Sequence, residues 1–98
     1  MDNNTRCEKV FRALANPARI RIISLLDGNQ FCVNALVRQM DISQAAVSQH
    51  LKILENAGLV KKKKEGYWMH YTLSPGGFND INKFLSSIRE LNQNAEEE

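Results

Sequence analysis

Apolar positions along this chain recur with two different periods, and the switches between them mark its elements. Cys7, Val10, Phe11 and Leu14 recur at helical spacing, which predicts an amphipathic first helix over residues 6–15. Asn16-Pro17 then punctuates the chain. Asn is a preferred N-cap and Pro is favoured at the first helical position, so a second helix starts there. It carries Ile20, Ile22, Ile23, Leu25 and Leu26 up to Asp27-Gly28, an apolar density expected of a helix at the centre of a core. A short third helix begins near Cys32, with Val33, Leu36, Val37 and Met40 on one stripe. Asp41-Ile42-Ser43 makes the next turn, where Asp tolerates a left-handed conformation and Ile42 can pack beneath it. Ser43 caps a fourth helix over residues 44–57, which Gly58 ends. From Leu59 to Leu73 the pattern becomes that of two strands: one carries Lys61 to Lys64, a turn falls near Glu65-Gly66, and Tyr67-Trp68-Met69-His70-Tyr71-Thr72-Leu73 returns. Ser74-Pro75-Gly76-Gly77 reads as a break. Phe78, Ile81, Leu85, Ile88 and Leu91, widened by Phe84, then mark a last helix. Residues 1–5 are polar and expected to fray, and residues 92–98 to trail away as an acidic disordered tail. The predicted fold is mainly α with a small β-hairpin, in the order α-α-α-α-β-β-α. It is a winged helix-turn-helix spanning residues 6–91.

The fourth helix carries the most informative surface. On a wheel of ~100° per residue, Val47, Leu51, Leu54 and Ala57 gather on one side. Gln44, Ala45, Ser48, Gln49, Lys52 and Glu55 gather on the other. An ordinary solvent face carries Lys and Glu pairs, whereas this one is rich in amides and hydroxyls near its N-terminal end. Such groups both donate and accept hydrogen bonds, as the base edges of a major groove require. A merely polar helix is the bland alternative, and the lysine run that follows argues against it. Four successive lysines in a strand point alternately to its two faces, so about two can reach phosphates on one side. Alone, such a run is usually a solvated edge that blocks stray strand pairing.

Composition adds bounds. The chain has 98 residues, enough for one small domain whose core is often extended by dimerisation. The net charge is only +2, but between residues 48 and 71 five lysines stand against Glu55 and Glu65. No apolar run approaches the ~20 residues of a membrane span and no signal peptide opens the chain, so a cytoplasmic protein with reduced thiols is expected. The first and last helices carry apolar stripes that exceed what so small a core can cover. Pairing them across a two-fold axis would bury the surplus and set two reading helices about one DNA turn, ~34 Å, apart, matched to an inverted repeat.

The stretches Phe11-Arg12-Ala13-Leu14-Ala15-Asn16-Pro17-Ala18-Arg19-Ile20-Arg21-Ile22, Ser43-Gln44-Ala45-Ala46-Val47-Ser48-Gln49-His50-Leu51-Lys52-Ile53-Leu54, Ala57-Gly58-Leu59-Val60 and Glu65-Gly66-Tyr67-Trp68-Met69-His70-Tyr71-Thr72-Leu73 resemble the ArsR/SmtB family of winged-helix repressors. The resemblance implies a homodimer that binds double-stranded operator DNA and represses transcription until an inducer, commonly a metal ion, a metalloid or a thiol oxidant, weakens its grip. The family's base-contacting positions match Gln44, Ala45, Ser48 and Gln49, and Lys62, Lys63 and Lys64 are wing candidates as a group.

For the inducer the resemblance is incomplete. Where metal-sensing relatives carry Cys-Val-Cys, this chain has Cys32-Val33-Asn34, and its last helix offers Asp80 without a histidine. A soft metalloid wants about three thiolates, and one chain supplies only Cys7 and Cys32, so no cofactor is certain. Cys7 and Cys32 meeting as a dithiol is one reading, with Cys32 favoured because a helix N-terminus stabilises a thiolate. The other makes Cys7 a small core residue. His50 is expected to be hydrogen-bonded and partly buried and His70 to pack across strands or meet a phosphate; Tyr67, Trp68 and Tyr71 can be read as a base-stacking platform, against the plainer reading that a returning wing strand needs aromatic packing anyway. An enzyme would need Cys32 with His50 or His70, and nothing in the sequence joins them. The rival to a DNA regulator is a winged helix that has become a protein-interaction module, or a regulator that senses no inducer.

Overall fold

The computed structural model describes residues 3–91. Five helices and a hairpin follow in order: α1 (Asn3–Leu14), α2 (Pro17–Leu26), α3 (Val33–Met40), α4 (Gln44–Asn56), β1 (Val60–Glu65), β2 (Trp68–Leu73) and α5 (Pro75–Ser87). This is a winged helix-turn-helix. Local chemistry sets most boundaries. Asn16 accepts hydrogen bonds from the N–H groups of Ala18 and Arg19, at 2.9 and 3.2 Å, with Pro17 opening the helix behind it. Asp41 ends α3 in the left-handed region at φ 56°, which turns the chain into α4. Ile42 packs against the core at that turn.

The core is one cluster. Val10 and Ala13 of α1, Ile22 and Leu26 of α2, Leu36 of α3, Val47, Leu51 and Leu54 of α4, and Leu59, Val60 and Tyr71 of the hairpin are all buried. Burying one such aliphatic side chain contributes roughly 1.5–3 kcal/mol, so the cluster supplies the main drive for folding. α2 is central as its density suggested, although Ile20 faces out and is 53 % exposed. Phe31 adds a single bridge to β2, exchanging both backbone hydrogen bonds with Tyr71 at 3.2 and 2.8 Å.

Three boundaries differ from the sequence pattern. α1 begins at Asn3, so Asn3 to Thr5 form its first turn instead of fraying, although the apolar stripe does not announce it. Ser74-Pro75-Gly76-Gly77 is not a break but the entry to α5, with Ser74 at the N-cap and Pro75 in the first turn. α5 then stops at Ser87, with Ile88 extended at φ −79°, ψ 108°, so Ile88 and Leu91 do not continue one stripe with Phe78. The expected acidic tail lies outside the described residues.

Gly77 explains the unusual helix start. A Cβ there would sit 2.6 Å from the Ala57 carbonyl oxygen and 2.9 Å from Leu59 Cδ2, while its N–H donates to Gly58 O at 2.8 Å. The glycine lets the start of α5 lie directly on the exit from α4. Gly-to-Ala inside a helix ordinarily stabilises by roughly 0.5–1 kcal/mol. Here the sign should reverse: Gly77→Ala is expected to lower stability by about 1–3 kcal/mol in urea unfolding, and a stabilised variant would show that the two segments are not in contact.

Candidate nucleic-acid interface

α4 is anchored by its apolar side and bare on its polar one. Val47, Leu51 and Leu54 are fully buried, whereas Gln44, Ala45, Ser48, Gln49 and Lys52 are exposed, as the helical wheel places them. Glu55 is half-buried. Ser43 Oγ accepts a hydrogen bond from the Ala46 N–H at 3.1 Å and fixes where the helix begins. Gln44 and Ala45 therefore stand in the first turn with Ser48 and Gln49 one turn on, a continuous strip of amide and hydroxyl groups.

The wing supplies charge beside it. Lys61, Lys62, Lys63 and Lys64 are all exposed. Register sorts them: Lys62 pairs with Tyr71 and Lys64 with Met69, while Lys61 pairs with Thr72 and Lys63 with His70. Directly paired residues share a face, so Lys62 and Lys64 lie on one side of the ribbon and Lys61 and Lys63 on the other. Lys62, Lys63 and Lys64 thus do not act as one surface, and Lys63 also forms an ion pair with Glu65 at 3.3 Å. The turn is tight, with Gly66 at φ 62° and Tyr67 outside the left-handed region, the pattern of a type II′ hairpin turn. Of the three wing aromatics only Tyr71 packs, being 9 % exposed. Tyr67 and Trp68 stand free at 103 % and 67 % exposure, so the packing reading holds for Tyr71 alone.

The two thiols have different surroundings. Cys7 is buried where α1 meets α5, and its Sγ donates to the Asp80 carbonyl oxygen at 3.2 Å. Asp80 also forms an ion pair with Arg6 at 3.4 Å, and Phe11 meets Phe84 edge-on with ring centroids 6.0 Å apart. Cys32 is half-buried at the N-cap of α3, next to the Phe31 bridge, and its side chain makes no capping hydrogen bond. Neither thiol is in a disulfide. Among the described residues no group of three or more His, Cys, Asp and Glu side chains could hold a metal ion. Along the outside of α1 and α5 runs an open apolar groove lined by Cys7, Phe11, Ala15 and Phe84.

Arg19, to which the sequence pattern assigns no role, joins α1 to α4. Its guanidinium donates to the Ala13 and Arg12 carbonyl oxygens at the end of α1 and reaches His50 Nδ1 at 3.3 Å. Arginine has no acceptor, so Nδ1 accepts and the neutral ring carries its proton on Nε2. The half-buried, hydrogen-bonded setting matches the expectation for His50. His70 is also half-buried, and its Nδ1 and Thr72 Oγ1 are shielded without a partner.

A helix-turn-helix whose second helix bares an amide and hydroxyl strip beside a basic wing defines a DNA-binding regulator of transcription. Residues 16–62 match the family model described as bacterial regulatory protein, arsR family. The chain is 32 % identical over 89 residues to an uncharacterised HTH-type transcriptional regulator of Methanocaldococcus jannaschii, covering 90 % of this chain and 100 % of that one. It is 40 % identical over 68 residues to the arsenical resistance operon repressor of Escherichia coli, covering 68 % of this chain and 58 % of the repressor. The structure of HlyU from Vibrio cholerae superposes with a TM-score of 0.72 at 32 % identity, over 90 % of this chain and 96 % of that one. The chain belongs to the arsR family. Its relatives are regulators of transcription, not enzymes. No helix among the described residues is long and apolar enough to cross a membrane.

Burial, and after it the Arg19 charge, lower the pKa of His50 from its ordinary 6.5. With the folded-state value the lower one, the unfolded chain takes up this proton first as pH falls. Stability is therefore lost as pH drops through 6.5 and stops falling once the folded-state pKa is passed. Urea unfolding at pH 7.5 and 5.5 is expected to show a smaller loss for His50→Gln than for the parent, and equal losses would detach His50 from the pH response.

Proposed function

We propose that the chain works as a homodimeric, sequence-specific repressor that binds an inverted-repeat operator and leaves it when an inducer acts. The observation that carries this reading is the division of α4: Val47, Leu51 and Leu54 are sealed in the core while Gln44, Ala45, Ser48 and Gln49 face outward. In this reading those four residues lie along base edges in the major groove, with the Gln amides suited to bidentate hydrogen bonding. Lys52 and the wing lysines Lys62, Lys63 and Lys64 meet phosphates, two wing residues at a time because the ribbon divides them. Dimerisation is supported by the apolar groove along α1 and α5, with Phe11 42 % and Leu85 43 % exposed in the single chain. A protein-interaction module would have no use for the polar strip of α4, and salt separates the two readings because phosphate contacts release counterions.

The test uses the DNA upstream of the protein's own gene and a scrambled duplex of equal length, titrated in gel shifts over a range of salt. Two chains per specific duplex are expected. Gln49→Ala should weaken specific binding by 1–3 kcal/mol per lost bidentate contact, about, with little change on the scrambled duplex. Changing Lys62 and Lys64 together to Gln should weaken both duplexes alike and flatten the salt dependence. Equal losses on both duplexes for Gln49→Ala would refute base reading by α4.

The thiol proposed to receive the inducer is Cys32, which is half-buried and free of a capping bond, with Cys7 left as a core residue held by Asp80. Cys32→Ser is expected to bind DNA like the reduced parent and to stay bound when persulfide, peroxide or arsenite releases the parent. Unaltered release from the variant would remove Cys32 from the inducer site.

A further inference from the structure

The bridge that pins the wing to the loop before α3 also brings a thiol to a histidine. Phe31 and Tyr71 exchange both backbone hydrogen bonds in antiparallel register. One residue forward from Phe31 and one back from Tyr71, that register sets Cys32 opposite His70. Cys32 is extended at φ −77°, ψ 166°, so alternation puts both residues on the side of the ribbon away from Phe31 and Tyr71, which pack on the core. The pair beside a doubly bonded one is the kind whose side chains come closest, with Cβ atoms about 4.5–5.5 Å apart. At that separation, rotation about the Cα–Cβ bond carries a thiol to an imidazole nitrogen.

The two groups are chemically complementary. Cys32 is half-buried and its side chain makes no capping bond. His70 Nδ1 is shielded with no hydrogen-bond partner, a costly state for a polar atom. A thiol donates and an imidazole nitrogen accepts. Among the described residues, the charged groups of the wing on that face are Lys61, Lys63 and Glu65, and Lys63, directly across from His70, is held by Glu65 at 3.3 Å. α2 meets β2 from the core side, where Ile22 and Leu26 share a cluster with Tyr71. We propose that Cys32 and His70 form a thiol–imidazole pair across the bridge: His70 Nδ1 takes the thiol proton and leaves the thiolate at the N-terminus of α3, where the helix dipole favours negative charge. The thiolate is the reactive form of cysteine. One such thiolate suits an inducer that is a soft electrophile with a leaving group, whereas a soft metal ion wants several ligands. Sulfur then bonds to the electrophilic atom, the leaving group departs with the electron pair of the broken bond, and the proton stays on His70 until water removes it. This inference rests on the reading of Cys32 as the inducer thiol and supplies its proton acceptor.

The test uses the reduced full chain, with iodoacetamide as the electrophile and peptide mass spectrometry reading Cys32 and Cys7 separately. Attack forms one S–C bond and releases iodide. In His70→Gln, which keeps a polar side chain but cannot hold the proton and whose fold is checked by circular dichroism, Cys32 is expected to react about tenfold more slowly than in the parent at pH 6.5. At pH 9.5, where hydroxide ionises a thiol unaided, the two rates should agree within about twofold. Equal slowing at both pH values would mean that the substitution only closes access, and an unchanged rate at pH 6.5 that the ring takes no proton; either overturns the pair. A second measurement needs no change at His70: its Cε1–H resonance at pH 7 is expected nearer the protonated position in the parent than in Cys32→Ser, and coincident resonances would also overturn the pair. Alkylation needs no DNA, so the two readings fail separately. A chain whose Cys32 alkylates as expected, yet whose Cys32→Ser variant still leaves DNA on treatment with inducers, keeps the pair and loses only the inducer role.

Discussion

The insertion of Val47, Leu51 and Leu54 into the core is the constraint on which the rest of the structure depends. These three side chains fix the rotation of α4 about its own axis. A helix that rolled by the ~100° of one residue would have to drag an amide or hydroxyl into an apolar cluster with no partner, at a cost of roughly 1–3 kcal/mol per group by mutational scales. The polar strip is therefore held outward by the opposite side of the same helix. Ser43 sets the axial position in a similar way, because its oxygen closes on the Ala46 N–H and leaves Gln44 and Ala45 in the first turn. Rotation and height are both determined before any ligand arrives.

α4 is tied at its C-terminal end and at its middle to the elements that flank the helix-turn-helix. At its C-terminal end, Gly58 at φ 74° turns the chain, and Gly77 lets α5 approach within backbone contact of that turn. Near its middle, His50 meets a guanidinium that also closes the last carbonyls of α1, where a cation is favoured by the helix dipole. α1 and α5 thus pack on each other through Cys7, Phe11 and Phe84 and hold α4 through two short connections, one polar and one steric. In the proposed dimer this linkage would pass any change in the α1–α5 pairing to the orientation of the reading strip.

Much of this was legible in the sequence because it is local. Asn16 before Pro17, Asp41 in the left-handed turn, Ser43 as a cap and Gly58 as a stop are each decided within a few residues, as is the 3.6-residue stripe of α4. What was not legible depends on distant contacts. Ser-Pro-Gly-Gly has the composition of a break, and only the Ala57 carbonyl and Leu59, about twenty residues earlier, turn it into a helix start. Alternation along β2 is also blind to how far the core reaches: it treats Tyr71 and Trp68 as equal aromatics, while the hairpin leaves the protein body between them. The pairing of Lys62 with Tyr71 and of Lys63 with His70, which divides the lysines between two faces, is fixed by the length of the turn and not by the lysines themselves.

Charge sets how the parts of the interface share the work. A net charge of +2 on the whole chain gives little long-range attraction, so non-specific affinity has to come from a few local contacts. In the proposed complex, Lys52 with two wing lysines on one face would make about three phosphate contacts per chain, for a salt slope near −2.7, doubled to about −5 across a two-fold axis. That is a modest counterion term. In the proposed complex, with so little affinity supplied without regard to sequence, discrimination would fall to groups that read bases, the uncharged strip of α4. Small electrostatic binding and a large uncharged contact surface are then two sides of one arrangement, since added charge would raise binding to every duplex alike and dilute the preference those groups create.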